Sequence, residues 1–485
     1  MTTTFQIRRP RRVFLAAVSA AVLAACGGGG GSEPTRTPNG GGTPGQGPVG
    51  GGPGQQPGQG PTILRFEASS ASAFVGEPVR LSFDFQGGQG RVDPTLGAVV
   101  SGTDVLTHAL DRDMTFRLVV GAPGAQDVER ELTVRAVFRD AYASLATTWR
   151  GAGHAAVATA DGALLLIGGV DGDGAPSTRI DRFDPRTGSA LPLGTLRTAR
   201  LAPVAVRLTA GQVLVTGAGM DPADAATAEL VDERTGQTTP AGTMSVVRSE
   251  HAAIELGGGR VLVTGGLTLG EGTELAPSSS AEIWEPATRS FRRLSQALHT
   301  ARAGHTMTAL GDGRILLVGG VSLSAQPLLA EIFDPVTERF TPVYTAWPMR
   351  HGHAALHTPD GGVLVIGGTL PAPGGNDGVA TASVLRYDRV TQTFAELSPL
   401  AAARARVQAA MLPGGQVLVF GGEGAGGSAM ASAERYDVQA GGTPIRTLPG
   451  ARTGHTVTRL PSGRVAVAGG EDVPTGQTTG VLVYH

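Results

Sequence analysis

Short apolar runs separated by glycine-rich turns recur along most of the chain. In one representative segment, a loosely alternating stretch at 304–310 precedes an Asp-Gly turn and an almost continuous apolar run at 314–318. Such a run predicts a strand that is covered on both faces, and a diglycine ends it. Two further strands are predicted at 330–333 and 340–344. A four-stranded sheet with two apolar faces needs a neighbour on either side.

This segment is repeated, and a diglycine after the second strand marks each repeat except the second, which has Gly217-Ala218-Gly219. The diglycines are Gly168-Gly169, Gly265-Gly266, Gly319-Gly320, Gly367-Gly368, Gly421-Gly422 and Gly469-Gly470. Arginines close the units at Arg200, Arg248, Arg302, Arg350, Arg404 and Arg452, with spacings of 48, 54, 48, 54 and 48 residues. Seven units of four strands, at a period near 50, predict a seven-bladed β-propeller.

The units resemble kelch repeats. The matching features are the diglycine, an aromatic-Asp-Pro after strand three, a later aromatic residue, and Arg-x-Gly-His at the start of strand one. They occur at Phe183-Asp184-Pro185 and Phe333-Asp334-Pro335, at Phe291, Phe340 and Phe394, and at 302–305, 350–353 and 452–455. The resemblance covers roughly residues 141–485 and implies that residues 139–485 form a seven-bladed kelch-type β-propeller. The second unit lacks the His and the Asp-Pro, and the Trp expected in strand four is mostly Phe or absent.

The strand count predicts how the propeller closes. After Arg452 three strands are predicted, the last at 479–484, whereas one additional strand at 141–149 precedes the first unit. Pairing this strand with residues 481–484 supplies the missing outer strand. It also covers a sheet edge that would otherwise invite association. We therefore expect the N-terminal strand to close the last blade.

The N-terminus has the features of an export signal. Four arginines between Arg8 and Arg12 precede an apolar stretch that is too short to span a membrane. Leu23-Ala24-Ala25-Cys26 resembles a bacterial lipobox, which implies a signal peptide at residues 1–25 and a lipid on Cys26. Because Gly27 follows rather than Asp, the resemblance also implies sorting to the outer membrane. An ordinary signal peptide with a chance cysteine is the alternative.

Residues 26–61 and 62–138 differ in composition. The first segment consists mainly of Gly, Pro, Gln, Ser and Thr, which predicts a disordered tether. The second alternates apolar and polar residues over about seven short strands, which predicts a small β-sandwich. Its segment Val75-Gly76-Glu77-Pro78-Val79-Arg80-Leu81 resembles the start of the second strand of bacterial immunoglobulin-like domains. An immunoglobulin-like β-sandwich that spaces or binds is therefore expected before the propeller.

Composition narrows the possible functions. The formal net charge of −2 implies no bulk attraction to nucleic acid. All 39 basic residues are arginine, so mechanisms that use lysine as a base or in a Schiff base are excluded. Cys26 is the only cysteine, so no disulfide can form within the chain.

The resemblance to kelch repeats raises two enzyme classes. Copper radical oxidases similar to galactose oxidase need a Tyr cross-linked to a Cys and a His from a domain after the propeller, and the sequence offers neither. An enzyme similar to a sialic-acid epimerase is the remaining alternative. Such an enzyme would need carboxylate and Arg groups at the propeller mouth. The segment at 171–174 does not continue as a calcium loop, because Arg182 stands at the place of the required Glu. We expect no cofactor and no metal, and we assign no catalytic residue.

Charged residues recur at equivalent positions of the units. Histidines start strand one at His154, His251, His305, His353 and His455, and acids recur on strand three at Asp181, Glu229, Glu282, Glu331 and Glu434. The histidines form either a metal or catalytic ring, or one structural hydrogen bond per blade, and five blades place them too far apart to share one ion. The acids predict ion pairs with the repeating arginines, within a blade or between blades.

Blade topology predicts the ligand face, because the two–three and four–one loops emerge on the same side. The longest two–three loops, 267–280 and 369–381, account for the 54-residue periods. Binding residues concentrate in loops on a rigid scaffold, and Arg suits carboxylate-bearing ligands. The candidate ligand-binding residues are Arg200, Arg248, Arg302, Arg350, Arg404, Arg452, His305 and His353, unless structural pairs use the arginines.

These features predict a non-enzymatic binding or scaffold lipoprotein of the bacterial cell envelope. The expected partners are the membrane, through the N-terminal lipid, and a protein or glycan ligand, with no nucleic acid. A glycan-modifying enzyme of the sialic-acid epimerase-like kelch class is the alternative.

Overall fold

The structure is a computed structural model, which describes residues 60–144, 149–170, 175–217, 222–269, 274–371, 378–472, 477–478 and 480–485. The expected signal peptide, Cys26, most of the tether and the loop at 171–174 lie outside these ranges. Residues 60–73 and 77–136 belong to one compact unit, and residues 137–485 belong to another. Within the described ranges, no helix has the length and apolar character needed to cross a bilayer.

The first unit is built from two antiparallel sheets that share one apolar core. Its strands are β1 (Thr62–Ala68), β2 (Ser72–Phe74), β3 (Arg80–Gln86), β4 (Gln89–Asp93), β5 (Gly97–Val99), β6 (Thr103–Leu106), β7 (Met114–Gly121) and β8 (Val128–Val137). The sheet orders are β1-β3-β6 and β2-β8-β7-β4-β5. In β3, Leu81, Phe83 and Phe85 are buried while Arg80 and Gln86 are exposed, as the alternating sequence predicts.

In the second unit, the described residues form seven four-stranded sheets, numbered here in chain order, after a short strand β9 (Tyr142–Ser144). Sheet 1 contains β10 (Ala155–Ala158), β11 (Leu164–Ile167), β12 (Ser177–Phe183) and β13 (Ala190–Arg200). Sheet 2 contains β14 (Val204–Arg207), β15 (Gln212–Thr216), β16 (Thr227–Asp232) and β17 (Thr238–Thr243), with a short helix α1 (Pro222–Ala225). Sheet 3 contains β18 (Ala252–Glu255), β19 (Val261–Thr264), β22 (Ala281–Glu285) and β23 (Ser290–Arg293), with the hairpin of β20 (Leu267–Leu269) and β21 (Leu275–Pro277) between its middle strands.

The remaining sheets repeat this plan. Sheet 4 contains β24 (Thr306–Ala309), β25 (Ile315–Val318), β26 (Ala330–Asp334) and β27 (Arg339–Val343). Sheet 5 contains β28 (Ala354–His357), β29 (Val363–Ile366), β32 (Val384–Asp388) and β33 (Thr393–Leu397), with the hairpin of β30 (Thr369–Leu370) and β31 (Val379–Ala380). Sheet 6 contains β34 (Gln408–Met411), β35 (Val417–Phe420), β36 (Ala433–Asp437) and β37 (Gly441–Ile445), with a 3-10 turn at Ala425–Gly427. Sheet 7 contains β38 (Thr456–Arg459), β39 (Val465–Ala468), β42 (Val481–Tyr484) and β9, with the hairpin of β40 (Glu471–Asp472) and β41 (Gln477–Thr478).

The sheets of the second unit form a closed series. The second strand of each sheet is buried on both faces, which explains its continuous apolar sequence. An apolar cluster lies between every two consecutive sheets, and another lies between sheet 7 and sheet 1. First strands contact first strands around the whole series, including β38 with β10. The first strands therefore surround a common centre.

The diglycine after each second strand allows a close approach of two connections. Gly319 and Gly320 both have positive φ, of 67° and 100°. The Gly320 N–H donates to the Arg350 carbonyl oxygen at 2.8 Å. A Cβ on Gly320 would lie 2.7 Å from the Ala303 carbonyl oxygen, too close for any side chain. Both the backbone conformation and the lack of space therefore require glycine here.

Strand β9 completes sheet 7. It pairs antiparallel with β42, with Tyr142 opposite Tyr484 and Ala143 opposite Val483. The backbone groups of Ala141 and His485 exchange hydrogen bonds of 3.4 and 3.1 Å. The predicted closure by the N-terminal strand is confirmed for residues 142–144, while residues 145–148 lie outside the described ranges.

Candidate functional site

The six repeating arginines lie in the interior, and each is at most 2% exposed. Arg302 shows the arrangement: Nη1 donates to the Gly319 carbonyl oxygen at 2.7 Å and Nη2 donates to Glu331 Oε1 at 2.8 Å. Glu331 also accepts from the backbone N–H groups of His299 and Thr300, at 2.7 and 3.0 Å. Arg302 belongs to the connection from sheet 3 and Glu331 belongs to β26 of sheet 4. This pair therefore links the connection that leaves sheet 3 to strand three of sheet 4.

The same pairing recurs in three other sheets. The pairs are Arg200–Glu229 at 3.1 Å, Arg248–Glu282 at 2.8 Å and Arg404–Glu434 at 2.5 Å. The predicted ion pairs are confirmed, and each joins the connection from one sheet to strand three of the next. In sheet 1, the Trp149 indole N–H donates to Asp181 at 2.9 Å instead. Arg200, Arg248, Arg302 and Arg404 are thus engaged in structural ion pairs. The sequence had left this open as the alternative to ligand binding.

Sheets 5 and 7 lack the carboxylate. Leu385 and Leu482 occupy the register position of Glu331. Arg350 and Arg452 still donate to the diglycine carbonyl oxygens, at 3.3 and 3.2 Å. Burial lowers the pKa of each guanidinium to about 10. These two arginines also face the interior, so none of the six forms part of a ligand surface.

The repeating histidines link neighbouring sheets. Nε2 of His305 lies 2.7 Å from Thr264 Oγ1 of sheet 3, and Nε2 of His353 lies 2.9 Å from Thr306 Oγ1 of sheet 4. The other three make equivalent contacts, of His154 with Thr456, His251 with Thr216 and His455 with the Phe420 carbonyl oxygen. All five are buried. The geometry is that of one structural hydrogen bond per sheet, so His305 and His353 do not reach a ligand surface.

Buried histidines predict acid sensitivity. Burial lowers the pKa of His154, His251, His353 and His455 to about 3 and that of His305 well below its ordinary value. The unfolded chain then binds protons that the folded chain excludes. We expect the free energy of unfolding to fall as pH drops below about 6.5, by at most about 1.4 kcal/mol per pH unit for each histidine.

Urea unfolding at pH 7.5 and 5.5 measures this loss. His353→Gln should reduce the difference between the two pH values, and His108→Gln, at an exposed position of the first unit, should not. A pH difference that His353→Gln leaves unchanged would contradict the assignment.

A ring of seven residues, one from each sheet, surrounds the centre. Each lies one residue before the first-strand histidine position in the sequence. The ring consists of Gly153, Ala202, Glu250, Gly304, Gly352, Arg406 and Gly454, all with φ between 48° and 64°. Backbone hydrogen bonds join ring residues of adjoining sheets, such as Ala202 N–H to the Gly153 carbonyl oxygen at 2.9 Å. We call these residues the mouth ring. Glu250 and Arg406 are its two members with long side chains, at a conformation that favours glycine.

Glu250 and Arg406 each lie against a glycine of the mouth ring that belongs to a neighbouring sheet. A Cβ on Gly304 would lie 3.6 Å from Glu250 Oε2, and one on Gly352 would lie 3.0 Å from the Arg406 backbone nitrogen. The Glu250 carboxylate therefore lies against Gly304, and the Arg406 backbone lies against Gly352. Burial raises the pKa of Glu250 to about 7, and the positive charge of Arg406 opposes the rise.

Three further groups gather around Arg406. Its Nε lies 3.0 Å from Glu423 Oε2, and the Thr453 hydroxyl donates to Glu423 Oε1 at 3.1 Å. Burial raises the pKa of Glu471, while Arg406 opposes and Glu423 adds to the rise. The pKa of His351 is lowered by burial and by Arg406. We call Glu250, His351, Arg406, Glu423 and Glu471 the mouth cluster.

The two–three loops of sheets 3, 4 and 5 expose apolar side chains on the same face. The long loops at 267–280 and 369–381 form the hairpins β20–β21 and β30–β31. Bridges of Ser249 with Leu267 and of His351 with Thr369 hold these hairpins beside the mouth ring. The exposed apolar residues are Leu269, Leu275, Val321, Leu323 and Val379, with Leu323 82% and Val379 58% exposed. We call these five residues the apolar rim.

The candidate residues predicted from the sequence were the repeated charged residues, and the mouth cluster was not among them. The sequence does mark the mouth cluster, because its residues depart from the repeat. Glu250 and Arg406 stand where four other units have glycine, and Glu423 and Glu471 follow the diglycine where sheets 3 and 4 have Leu267 and Val321. Residues that repeat in every unit maintain the fold, whereas residues that break the pattern mark the candidate site.

Comparison with known proteins gives the fold. The family model of the kelch motif matches residues 152–189, which include the first three strands of sheet 1. The chain is similar to a solved structure described as a novel fungal alcohol oxidase with catalytic diversity among the AA5 family, in complex with copper. That similarity has a TM-score of 0.58 and 16% identity, and it covers 71% of this chain and 76% of that chain. The fold is a kelch-type β-propeller. The propeller is also similar to a structure described as that of YjhT, with a TM-score of 0.46, 15% identity, and coverage of 58% of this chain and 97% of that one.

No curated protein matches the chain. At 16% identity, the likeness to the alcohol oxidase concerns the fold alone. The propeller residues do not reproduce a copper centre of the cysteine-linked kind, since the sole cysteine is Cys26. Across the described ranges, no three His, Cys, Asp or Glu side chains are grouped to hold a metal ion.

Proposed function

We propose that this protein is a non-enzymatic binding lipoprotein of the bacterial cell envelope, and that its propeller presents the apolar rim to a protein partner. The rim carries the proposal, because exposed apolar side chains from three consecutive sheets gather on one face. Contiguous apolar surface beside polar groups is typical of protein interaction sites. The buried arginine and histidine contacts support a rigid scaffold behind the rim. A glycan is the second ligand class that this face would suit.

The proposal also covers the number of propeller blades and the fold of the first unit. We take the seven sheets as the seven blades of one closed propeller, and the first unit as an immunoglobulin-like β-sandwich at residues 62–138. The series of apolar clusters that returns from sheet 7 to sheet 1 supports the first assignment. The two antiparallel sheets of the first unit support the second.

Substitutions in the apolar rim test the partner surface. Leu323→Ser with Val379→Ser should weaken capture of an envelope protein by a soluble 62–485 fragment at least tenfold, because both side chains are exposed and available for contact. The matched control is Val336→Ser with Val390→Ser, two exposed valines in turns outside the rim. Pull-down from envelope extract and a glycan array measure both ligand classes. An equal loss of partner capture in the two double variants would argue against the apolar rim as the partner surface.

Shortening the loops at 267–280 and 369–381 to the length found in 48-residue units tests the same face. Loop length changes stability little, so the unfolding temperature should stay near that of the parent protein. Affinity for the captured partner should fall. Unchanged affinity together with unchanged stability would show that the ligand binds elsewhere.

The lipid anchor is the second part of the proposal, and it places the protein at the outer membrane. Cys26→Ser should leave the mature N-terminus without lipid and release the protein from the membrane fraction, because one acyl-bearing residue supplies the attachment. Mass spectrometry of the N-terminus and membrane fractionation measure both effects. Fractionation that is identical to that of the parent protein would contradict the anchor.

A glycan-modifying enzyme is the second candidate function. The observation that favours it is Glu250, a carboxyl with a pKa of about 7 near the guanidinium of Arg406. Release of a modified sugar by the parent protein, lost in Glu250→Gln, would select the enzyme over the binding protein.

A further inference from the structure

The hairpin of sheet 3 has one entirely apolar face. Its register places Leu267 opposite Pro277 and Leu269 opposite Leu275. These four side chains share a face, because residues two apart in a strand point the same way. Leu269 and Leu275 are 46% and 44% exposed. A two-stranded hairpin is marginal by itself, so a partner that covers this face would also stabilise the hairpin.

Sheets 4 and 5 extend this apolar surface. In the hairpin of sheet 5, Leu370 lies opposite Val379, which is exposed. Between the two hairpins comes the shorter two–three loop of sheet 4, whose described residues 321–329 form no strand and expose Val321 and Leu323. Sheets that pack face to face lie about 10 Å apart, so three consecutive sheets present an apolar strip about 20 Å long.

The backbone edges of the hairpins offer little room for an added strand. The backbone groups of Leu267 and Ser249 exchange hydrogen bonds of 2.7 and 3.1 Å, and those of Thr369 and His351 exchange hydrogen bonds of 2.8 and 3.2 Å. Neighbouring connections therefore occupy the edge at the base of both hairpins. A partner strand needs a free edge for its main-chain hydrogen bonds, whereas a helix docks through side chains alone. The surface thus favours a helix.

The loops that carry the apolar rim are acidic. Between them, the two–three loops of sheets 3, 4 and 5 contain no arginine, lysine or histidine and three acidic residues, which are Glu271, Glu274 and Asp377. Glu274 stands directly before Leu275 and is exposed. An apolar surface bordered by negative charge is complementary to a segment that carries positive charge beside its apolar residues.

A carboxylate also stands at the inner end of the apolar rim. Glu250 Oε2 would lie 3.6 Å from a Cβ on Gly304, and the residue before Gly304 is bridged to Val321. Arg406 of the mouth ring lies 3.0 Å from Glu423, so its charge is already engaged. The apolar strip therefore has negative charge both on the hairpin of sheet 3 and beside the mouth ring.

We propose that the partner of the apolar rim presents a basic amphipathic α-helix, whose apolar stripe lies across sheets 3, 4 and 5 and whose lysine or arginine side chains face Glu274 and Glu250. This inference rests on the partner surface proposed above and names the chemistry of its occupant. A strip of about 20 Å matches about 13 helical residues at about 1.5 Å per residue. The same acids would repel an anionic lipid surface, so a membrane is the disfavoured occupant.

Two 14-residue peptides of identical composition test the shape of the occupant. One has three copies of Lys-Leu-Leu-Lys followed by Lys-Leu, which is amphipathic as a helix, and the other has seven copies of Lys-Leu, which is amphipathic as a strand. Fluorescence anisotropy with residues 27–485, which include both described units and need no detergent, measures their affinities. We expect the helical-period peptide to bind, and the strand-period peptide to bind at least tenfold more weakly. An acidic analogue of the helical-period peptide, with Glu in place of Lys, should also bind at least tenfold more weakly.

Substitutions locate the helix on the surface. Leu323→Ser should weaken the basic helical-period peptide at least tenfold, and Val336→Ser, in an exposed turn outside the apolar rim, should leave its affinity unchanged. Glu274→Arg should weaken that peptide by up to about fivefold and strengthen binding of the acidic analogue. Glu131→Arg, at an exposed position of β8, should change neither affinity. All four positions are exposed, so the unfolding temperatures should stay near that of the parent protein.

The outcomes separate this inference from the partner surface on which it rests. Equal or tighter binding of the strand-period peptide would overturn the helix, and equal or tighter binding of the acidic analogue would overturn the charge assignment. Co-sedimentation with phosphatidylglycerol vesicles that Leu323→Ser abolishes would replace the helix by a lipid surface. If neither peptide binds while partner capture still depends on the apolar rim, the helix is wrong and the partner surface stands. If the helical-period peptide binds through Leu323 while partner capture ignores the rim, the helix site holds and the partner surface is wrong.

Discussion

Replacing Glu331 by leucine is expected to lower the free energy of unfolding by about 3–5 kcal/mol, because Arg302 then stays buried without its counter-charge. The guanidinium and carboxylate are both fully buried and 2.8 Å apart. The substitution also removes the acceptor for the backbone N–H groups of His299 and Thr300. Urea unfolding of the parent protein and the variant, followed by circular dichroism, measures the difference.

Two variants serve as controls for the buried pair. Glu131→Leu, at an exposed position of β8, should change stability by less than about 1 kcal/mol. Arg302→Met combined with Glu331→Leu should recover part of the loss, because no unpaired charge remains. A double variant that is less stable than Glu331→Leu alone would show that the charge imbalance is not the cause.

Sheet 5 offers the reverse experiment. Leu385→Glu would give Arg350 the carboxylate that four other sheets supply. We expect its effect on stability to be neutral or favourable, in contrast to that of Glu331→Leu. A loss equal to that of Glu331→Leu would mean that sheet 5 has repacked around leucine.

Deleting residues 139–149 is expected to lower the unfolding temperature sharply and to promote self-association. The deletion removes β9, which pairs with β42, and exposes the outer edge of sheet 7. It also removes Tyr142, whose hydroxyl donates to the Arg446 carbonyl oxygen at 2.7 Å and whose ring lies 5.5 Å from that of Tyr484. Thermal unfolding and light scattering measure the two effects.

A smaller change and a matched deletion control this test. Tyr142→Ala should reproduce part of the loss, about 2–3 kcal/mol, because the ring is only partly buried. Deleting residues 27–61 should alter neither the unfolding temperature nor association, since that segment offers few apolar side chains. Normal unfolding after removal of 139–149 would show that sheet 7 does not need its N-terminal strand.

The strands and their grouping followed from local pattern. The apolar runs that end in a diglycine predicted the doubly buried second strands, and the Asp-Gly turn at 311–313 predicted the connection between β24 and β25. The extra strand before the first unit predicted the closure at β9, because an open edge has unpaired backbone groups that the chain must satisfy. These features depend on burial and hydrogen bonding of contiguous residues, which a repeat displays many times over.

The roles of the charged residues did not follow from the sequence. Arg302 and His305 stand in connections on the predicted ligand face, yet both side chains turn inward to the neighbouring sheet. Spacing along the chain cannot show which way a side chain points at a sheet boundary. From the sequence, Arg350 and Arg452 were expected to behave like Arg302. In the structure, Leu385 and Leu482 occupy the strand-three positions where a carboxylate partner would stand.

By itself, the sequence determined the all-β class, the period, the diglycine turns and the closing strand, since each is fixed by local backbone requirements and apolar periodicity. Only the tertiary structure brought Glu250 and Glu471 within electrostatic range of Arg406. The three residues come from connections that are distant in sequence, and they lie near one another because the first strands of their sheets surround one centre. Proximity of this kind depends on how sheets pack around an axis, and no spacing along the chain encodes it.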